Sequence, residues 1–151
     1  MSMGALVGLR NFATRSDVLR AMIEGLDYQF LEILDAYKNG LGVEPERIVA
    51  IGGATNNDFW MQNKADVVGK PIEVPALEEA VPLGAAILAG IGVGLFRDER
   101  EAFARVRRPG RVYEPNAQLS TCYRDGYNAY LQLYPALSAI HGRIATRGSH
   151  E

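Results

Sequence analysis

The sequence predicts an α/β fold, because helical and strand-like segments alternate along the chain. Apolar residues recur every three or four positions between residues 18 and 37, and short β-rich runs occur at residues 47–51 and 71–74. A glycine pair, Gly52-Gly53, separates the first of these runs from a further helical segment. We therefore expect the order helix, strand, helix, strand, helix, helix, with no tandem repeat.

The composition is that of an ordinary globular domain. The 151 residues include 16 Lys and Arg against 18 Asp and Glu, a net charge of −2, and 48% are hydrophobic. These fractions disfavour disorder, collagen and coiled coil, and the charge gives no electrostatic reason to expect nucleic acid or a membrane as a partner. The single cysteine, Cys122, cannot form an internal disulfide, and no secretory signal opens the chain. We therefore expect a cytoplasmic protein.

The first helix is predicted from the apolar stripe between residues 18 and 37, which has the period of one helix face. Thr14 or Ser16 is expected to cap its N-terminus, and Asn39-Gly40 is expected to end it. A short apolar run at residues 4–9 precedes this helix as a strand or a loop.

The glycine pair lies between a predicted strand and a predicted helix. Residues 47–51 are rich in β-branched side chains, and residues 56–58 (Asn-Asn-Asp) all suit a helix N-cap. Gly69 is expected to end that helix, and residues 71–74 are expected to form the next strand.

The 17 residues 80–96 carry no charge. A membrane-spanning helix needs about 20 apolar residues, whereas this run is shorter, contains four glycines and has Pro82 near its start. We expect instead a fully buried helix that packs closely through Gly84, Ala85 and Gly90.

The last third of the chain is predicted as a basic loop with a short extended piece at residues 103–113, followed by a helix from Leu119. Four tyrosines at alternating steps of four and three mark one face of this helix: Tyr123, Tyr127, Tyr130 and Tyr134. Docking of these aromatic side chains on the sheet is expected, and a stacking platform for bases or sugars is the alternative. Cys122 is expected to be a small buried hydrophobic residue.

The glycine pair is a candidate ligand site. In α/β sheets, ligands lie beyond the carboxyl ends of strands, and glycines there allow the backbone to approach a ligand closely. The start of the following helix offers N–H groups that favour an anion such as phosphate. A tight turn that binds nothing is the alternative. The pattern is neither a Walker A loop nor the G-x-G-x-x-G dinucleotide pattern.

Three segments, in this order, resemble the C-terminal region of the FGGY carbohydrate kinases, which include glycerol, xylulose and ribulose kinases. Residues 4–9 with residues 17–24 resemble the second signature of the family, and residues 78–90 resemble a buried helix of the family. Between them lie the residues that resemble the adenosine-binding turn and helix of the family: Gly52-Gly53-Ala54, Asn57, Trp60, Gln62, Ala65-Asp66 and Gly69. The resemblance spans about residues 4–96.

The resemblance implies the actin/hexokinase-like (ribonuclease H-like) ATPase fold, with part of its C-terminal lobe present here. It implies that Gly53 and Ala54 lie against the nucleotide, that Gly52 supports the turn, and that the Asn57 amide touches the adenine. Many members have Lys or Ser-Pro where this chain has residues 55–58. The implied cofactors are ATP and Mg²⁺, with the magnesium ligands expected mainly from a missing N-terminal part.

The resemblance also implies which functions this chain lacks. Phosphoryl transfer needs in-line positioning, Mg²⁺ and a base for the attacking hydroxyl, and in the family the catalytic aspartate precedes the segment present here. We therefore expect residues 1–142 to be the nucleotide-binding region of a fragment, with no catalytic and no metal-binding residues, and residues 143–151 to be a polar, disordered tail. The implied partners are ATP or ADP, a sugar or polyol substrate, the missing N-terminal lobe and a second copy in a homo-oligomer. The alternative is a stand-alone nucleotide-binding or oligomerisation module that has lost catalysis.

The remaining polar residues are expected to be structural. Five carboxylates are interpreted as caps or solvated faces: Asp58, Asp66, Glu73, Glu78 and Glu79. His141 and His150 match no zinc spacing. Four arginines form a basic cluster that is interpreted as a solvated loop, with a subunit or phosphate contact as the alternative: Arg105, Arg107, Arg108 and Arg111.

Overall fold

The structure, a computed structural model, describes residues 4–77, 79–106 and 108–147. Glu78, Arg107 and His150 therefore lie outside the described residues, as do residues 148–151 of the predicted polar tail. Within the described part, the helices are α1 (Arg15–Leu41), α2 (Asp58–Val68), α3 (Ala80–Gly92), α4 (Glu99–Val106) and α5 (Ser120–Arg147). The strands are β1 (Ile48–Val49), β2 (Ile72–Val74) and β3 (Arg111–Tyr113), and a 3₁₀ turn spans Gly53–Asn56.

The three strands form one sheet in the order β1-β2-β3. β1 runs parallel to β2, with Ile48 opposite Ile72, as expected for two strands joined through a helix. β3 is antiparallel to β2, with Tyr113 opposite Ile72 and Arg111 opposite Val74. The predicted mixed α/β architecture is confirmed, and the predicted extended piece within residues 103–113 is β3.

α1 begins with a capping box and ends later than predicted. The Thr14 backbone N–H donates to Asp17 Oδ2 at 2.8 Å, and the Asp17 N–H donates to Thr14 Oγ1 at 3.2 Å. The helix continues through the predicted Asn39-Gly40 stop to Leu41, and Gly42 ends it with φ 66°. The Gly42 N–H caps the Lys38 carbonyl at 3.0 Å, so the second glycine, and not the first, takes the left-handed conformation.

The small core lies between α2 and the sheet. Met61 and Ala65 of α2 pack with Ile72 and Val74 of β2, and all four are buried. α1 and α5 cover other faces of α2. The helix that follows the glycine pair is therefore the central element of the packing.

The prediction that residues 80–96 form a fully buried helix is wrong about burial. α3 forms, but Val81 is 81% exposed and Leu88 is 71% exposed. A methyl group at Gly84 would meet nothing within 4 Å, whereas one at Gly90 would lie 2.7 Å from the Phe96 ring. The physical reason is that α3 packs chiefly against α4 and not against the sheet. No helix in the described ranges is long and apolar enough to cross a membrane.

The predicted basic loop at residues 103–113 begins inside a helix, α4, which was not predicted. Asp98 Oδ1 accepts the Glu101 backbone N–H at 2.8 Å at its start, and Glu101 pairs with Arg105 at 2.6 Å one turn later. Arg105 therefore lies on a helix and not in the solvated loop that was predicted for the basic cluster.

The tyrosines of α5 dock on two helices, so the prediction that they dock on the sheet is wrong. Tyr123 Oη donates to Asn63 Oδ1 of α2 at 2.9 Å, and Tyr127 Oη donates to Asp35 Oδ2 of α1 at 2.8 Å. β2, the central strand, is already covered by α2, so the aromatic side chains of α5 pack against α1 and α2 instead.

A ring cluster joins α1 to α5. The Tyr28 ring lies 6.1 Å from the Tyr127 ring and 5.7 Å from the Tyr130 ring, measured between centroids. Cys122 is exposed beside this cluster, so the prediction that it is buried is wrong. α5 continues to Arg147, past the proposed tail boundary at residue 142, which stays a prediction.

Candidate functional site

The chain leaves β1 through a turn that requires glycine. Gly52 has φ 95° and ψ −179°, a conformation that side chains other than glycine rarely adopt. Its carbonyl accepts two hydrogen bonds from Thr55, one from the backbone N–H at 3.1 Å and one from Oγ1 at 2.7 Å. We refer to residues 52–57 as the glycine turn. Its first residue sets the direction of the chain, and Thr55 holds it there.

The backbone at Gly53 is open to a ligand. Gly53 and Ala54 are exposed, and a methyl group at Gly53 would meet nothing within 4 Å. These residues begin the 3₁₀ turn, so their N–H groups have no acceptor within it. A flat or anionic group can therefore approach the backbone here without meeting a side chain.

Asn57 joins the glycine turn to α2. Its Oδ1 accepts the Trp60 backbone N–H at 3.1 Å, so Asn57 is the N-cap of the helix. The cap holds the side-chain oxygen and leaves the amide nitrogen to donate. The four predicted nucleotide-binding residues, Gly52, Gly53, Ala54 and Asn57, thus lie in one continuous turn, and their contact with a nucleotide stays a prediction.

Arg111 on β3 reaches across to the glycine turn. Its Nη2 donates to the Thr55 carbonyl at 3.0 Å, and its Nη1 pairs with Asp58 Oδ1. Tyr113 Oη donates to the same Asp58 oxygen at 2.5 Å, and this bond to a carboxylate raises the pKa of Tyr113 because the neutral hydroxyl is the donor. Asp58, which was predicted to be a cap or a solvated carboxylate, is therefore part of a three-residue cluster.

A groove of about 990 Å³ opens beside the glycine turn. Pocket volumes that accept small ligands and cofactors begin at about 300 Å³, so the volume of this groove is sufficient for a ligand of that class. Its walls are the glycine turn, the end of β2 with the residues after it, the first turn of α3, and the start of β3; they include Gly53, Asn56, Pro75, Val81 and Arg111.

Gly110 determines where Arg111 lies. A methyl group at Gly110 would lie 1.9 Å from the Val74 carbonyl oxygen and 2.6 Å from Pro75 Cα. The chain can approach the end of β2 this closely because position 110 has no side chain. The close approach places Arg111 at the wall of the groove.

α2 is held from behind by a buried carboxylate on α1. Asp27 has no exposed surface and accepts hydrogen bonds from Trp60 Nε1 at 3.0 Å, Asn63 Nδ2 at 2.8 Å and Lys64 Nζ at 2.6 Å. Sequence reasoning missed Asp27. The available signal was a charged residue four positions after Ile23, on the apolar face of α1.

Asp66 and Glu79 differ in their surroundings, and the prediction that Asp66 is a cap or a solvated carboxylate is wrong. Asp66 is buried, and its Oδ1 accepts from Gln62 Nε2 at 2.9 Å and from the Asn116 N–H at 2.8 Å. Glu79 is the N-cap residue of α3, with no side-chain cap bond. Within residues 4–77, 79–106 and 108–147 there is no group of three or more His, Cys, Asp or Glu side chains suited to a metal ion.

Comparison with known proteins identifies the family. The C-terminal domain of the FGGY family of carbohydrate kinases matches residues 2–93. A glycerol kinase from Solidesulfovibrio magneticus is 41% identical over 113 residues, which is 75% of this chain and 22% of that protein. Glycerol kinase 1 from Clostridium tetani is 36% identical over 121 residues, which is 77% of this chain and 24% of that protein. The chain thus spans about a quarter of the length of the curated relatives it matches.

Solved structures give the same result. A ligand-bound xylulose kinase from Lactobacillus acidophilus matches with a TM-score of 0.82 and 28% identity, over 95% of this chain and 29% of that one. A glycerol kinase from Plasmodium falciparum, solved with ADP, matches with a TM-score of 0.73 and 27% identity, over 85% of this chain and 26% of that one. The fold predicted from the resemblance is confirmed as part of the actin/hexokinase-like ATPase fold. The chain belongs to the FGGY family of carbohydrate kinases, of which it carries the C-terminal domain.

Proposed function

We propose that this chain is the ATP-binding part of a kinase that transfers the γ-phosphoryl group of ATP to a hydroxyl of a sugar or polyol. The observation that carries the proposal is the exposed backbone at Gly53, at the edge of a groove with sufficient volume for a small ligand or cofactor. Membership of the carbohydrate kinase family supports the same function.

Each residue of the glycine turn has a distinct role in this proposal. The Gly53 and Ala54 backbone lies against the nucleotide and donates N–H groups to it. Gly52 supplies the positive φ that presents this backbone to the groove. Asn57 donates its amide nitrogen to an acceptor on the adenine edge, while the N-cap bond to the Trp60 N–H fixes its side-chain oxygen.

Catalysis itself is proposed to require a larger protein. Bound Mg²⁺ neutralises charge on the transferring phosphoryl group, and we propose that its ligands come mainly from an N-terminal part. The exposed apolar side chains of α3 support a contact with such a part, as does the quarter-length coverage of the relatives. Homo-oligomer formation and a cytoplasmic location also remain proposals.

Calorimetric titration of the 151-residue chain with ADP tests the binding claim. Saturable binding at millimolar or lower ADP is expected, and Gly53→Val should abolish it because the added side chain occupies the space next to the exposed backbone. Gly25→Val is the matched control, since a methyl group there also meets nothing within 4 Å and the residue lies on α1. Equal ADP affinity in the Gly53→Val variant and the wild type would refute the site.

Activity measurements test the second half of the proposal. We expect no phosphorylation of glycerol, pentuloses, hexuloses or tetritols when the 151-residue chain is supplied with ATP and Mg²⁺. Turnover by this chain would show that its own residues complete the reaction, against the proposal.

A further inference from the structure

We propose that Arg111 is a positioning residue for the nucleotide-binding turn, through which β3 holds the glycine turn in its binding conformation. This inference rests on the proposed function and deepens it, since it assigns a residue far from the turn in sequence to the same site.

The first argument concerns the Thr55 carbonyl. In a 3₁₀ turn that does not continue, the last carbonyls lack donors from within the turn. The Ala54 carbonyl accepts the Asn57 N–H at 3.1 Å, and the Asn57 carbonyl accepts the Met61 N–H at 3.1 Å. The Thr55 carbonyl lies between them, and Arg111 Nη2 donates to it at 3.0 Å. Because Thr55 is buried, an unpaired carbonyl there would be costly. Arg111 thus supplies a donor that the local chain does not.

The second argument concerns the geometry of the guanidinium group. Arg111 binds the Thr55 carbonyl through one nitrogen and the Asp58 carboxylate through the other. These two partners flank Asn57, the proposed adenine contact. A planar fork can hold two acceptors at a fixed separation, which the single ammonium group of lysine cannot do. Arg111 therefore sets the spacing between the two ends of the segment that carries Asn57.

The third argument is that Arg111 is itself well anchored. Its backbone is in register with Val74 in the sheet, and the close approach at Gly110 fixes the chain just before it. Tyr113 steadies the same Asp58 oxygen, and its ring centroid lies 5.8 Å from the guanidinium carbon. The side chain of Arg111 is 52% exposed. Exposed ion pairs contribute little to stability, so the bond to the Thr55 carbonyl, and not the ion pair with Asp58, is the contact whose loss should matter most.

A direct contact with the nucleotide phosphates is the competing role, because Arg111 lies at the groove wall. Both terminal nitrogens already have protein acceptors, which favours positioning over ligand contact. The two roles differ in their dependence on the ligand. A positioning residue affects adenosine and ADP alike, whereas a phosphate contact affects ADP alone.

Titrations with adenosine and with ADP, on the 151-residue chain, separate these roles. Arg111→Met should weaken both ligands by about tenfold, equivalent to the loss of one charge-assisted hydrogen bond. Arg105→Met is the matched control, because Arg105 also pairs with a carboxylate, at 2.6 Å, and lies 5.7 Å from an aromatic ring, yet it is on α4. Unchanged affinity for both ligands, or a loss confined to ADP, would overturn the proposal.

Amide hydrogen exchange in the absence of nucleotide provides a second, independent test. The Thr55 and Asn57 N–H groups close the glycine turn, so Arg111→Met should speed their exchange and Arg105→Met should not. Arg111→Lys keeps the charge but not the two-point contact, so the Thr55 and Asn57 N–H groups should exchange as fast as in Arg111→Met. Wild-type exchange rates in either Arg111 variant would overturn the inference. Failure of the wild-type chain to bind ADP would refute the proposed function, while the exchange rates still decide the role of Arg111.

Discussion

Lys64 Nζ on α2 lies 2.6 Å from Asp27 Oδ1 on α1, and Asp27 has no exposed surface. Burying a carboxylate is costly unless it is paired and hydrogen-bonded. Here the carboxylate has three side-chain donors, all from α2. Lys64 also lies 4.7 Å from the Phe30 ring centroid. The network fixes how α2, and with it the glycine turn, sits on α1.

Removal of this carboxylate should destabilise the fold severely. Asp27→Leu leaves Lys64 largely buried without its partner, so we expect the free energy of unfolding to fall by about 3–5 kcal/mol. Urea denaturation measures the change. The double variant Asp27→Leu with Lys64→Met removes both charges and should recover part of the loss. A loss below about 1 kcal/mol in the single variant would mean that the pair contributes no more than a surface ion pair.

Substitution by alanine should lower the stability of the fold at Gly110 and raise it at Gly84. Gly110→Ala places a methyl group 1.9 Å from the Val74 carbonyl oxygen, so β3 must move away from β2 and stability must fall. Gly84→Ala adds a methyl group in open space on α3, where alanine is favoured over glycine by about 0.5–1 kcal/mol. Thermal unfolding of both variants shows whether the melting temperature falls for Gly110→Ala and rises for Gly84→Ala. Equal effects would show that the close approach at Gly110 is not required.

The tyrosine cluster between α1 and α5 predicts a loss of stability in alkaline solution. Burial raises the pKa of Tyr28 to about 12 from 10.0, and the pKa values of Tyr127 and Tyr130 are also raised, chiefly by burial. A raised pKa in the folded state means that the neutral form is favoured there. This contribution is complete below pH 10 and is lost as the pH rises towards 12. The free energy of unfolding should therefore fall over this range.

Tyr28→Phe is the control for the alkaline transition. The variant lacks the Tyr28 hydroxyl but keeps the ring, so the dependence of the unfolding free energy on pH above 10 should be shallower. Tyrosinate absorbance, followed in parallel, identifies when the remaining groups ionise. An identical pH dependence in the wild type and the variant would contradict the assignment to Tyr28.

The stability of the fold in acidic solution depends on Glu44, which follows α1 in the sequence. Hydrogen bonds from Lys38 and Lys70 lower the pKa of Glu44. A lowered pKa gives a stabilising contribution that is present above the ordinary value of 4.5 and is lost as the pH falls through the lowered value. Glu44→Gln should therefore flatten the acid part of the stability curve, measured in urea at low salt. Because these side chains are exposed, high salt should remove most of the difference.

The features that were predicted correctly are local in sequence. Thr14 caps α1 through a residue three positions away, and Gly69 ends α2 with φ 69°. The strand, the glycine pair and the N-cap at Asn57 follow one another within ten residues. The conformations of such segments are determined by neighbouring residues, so residue type and spacing are enough to predict them. The family resemblance rests on the same segments.

The features that were missed depend on distant parts of the chain. Arg111 donates a hydrogen bond to Thr55, 56 positions earlier in the sequence, and Asp27 pairs with Lys64, 37 positions later. Their residue types were visible, but the pairing follows from how β3 joins β2 and how α1 crosses α2. α4 was also missed, although the Glu101 and Arg105 pair at a helical spacing was an available signal.

The exposed apolar side chains of α3 have a practical consequence for handling the protein. Val81 and Leu88 present hydrocarbon to water, together with Val93 and Leu95 just beyond the helix. Association through such surfaces strengthens in the presence of sulfate or phosphate, which are excluded from protein surfaces, and weakens on cooling. The isolated chain should therefore precipitate at lower ammonium sulfate concentrations than its balanced charge suggests, and it should keep better in the cold in buffers of weakly hydrated salts.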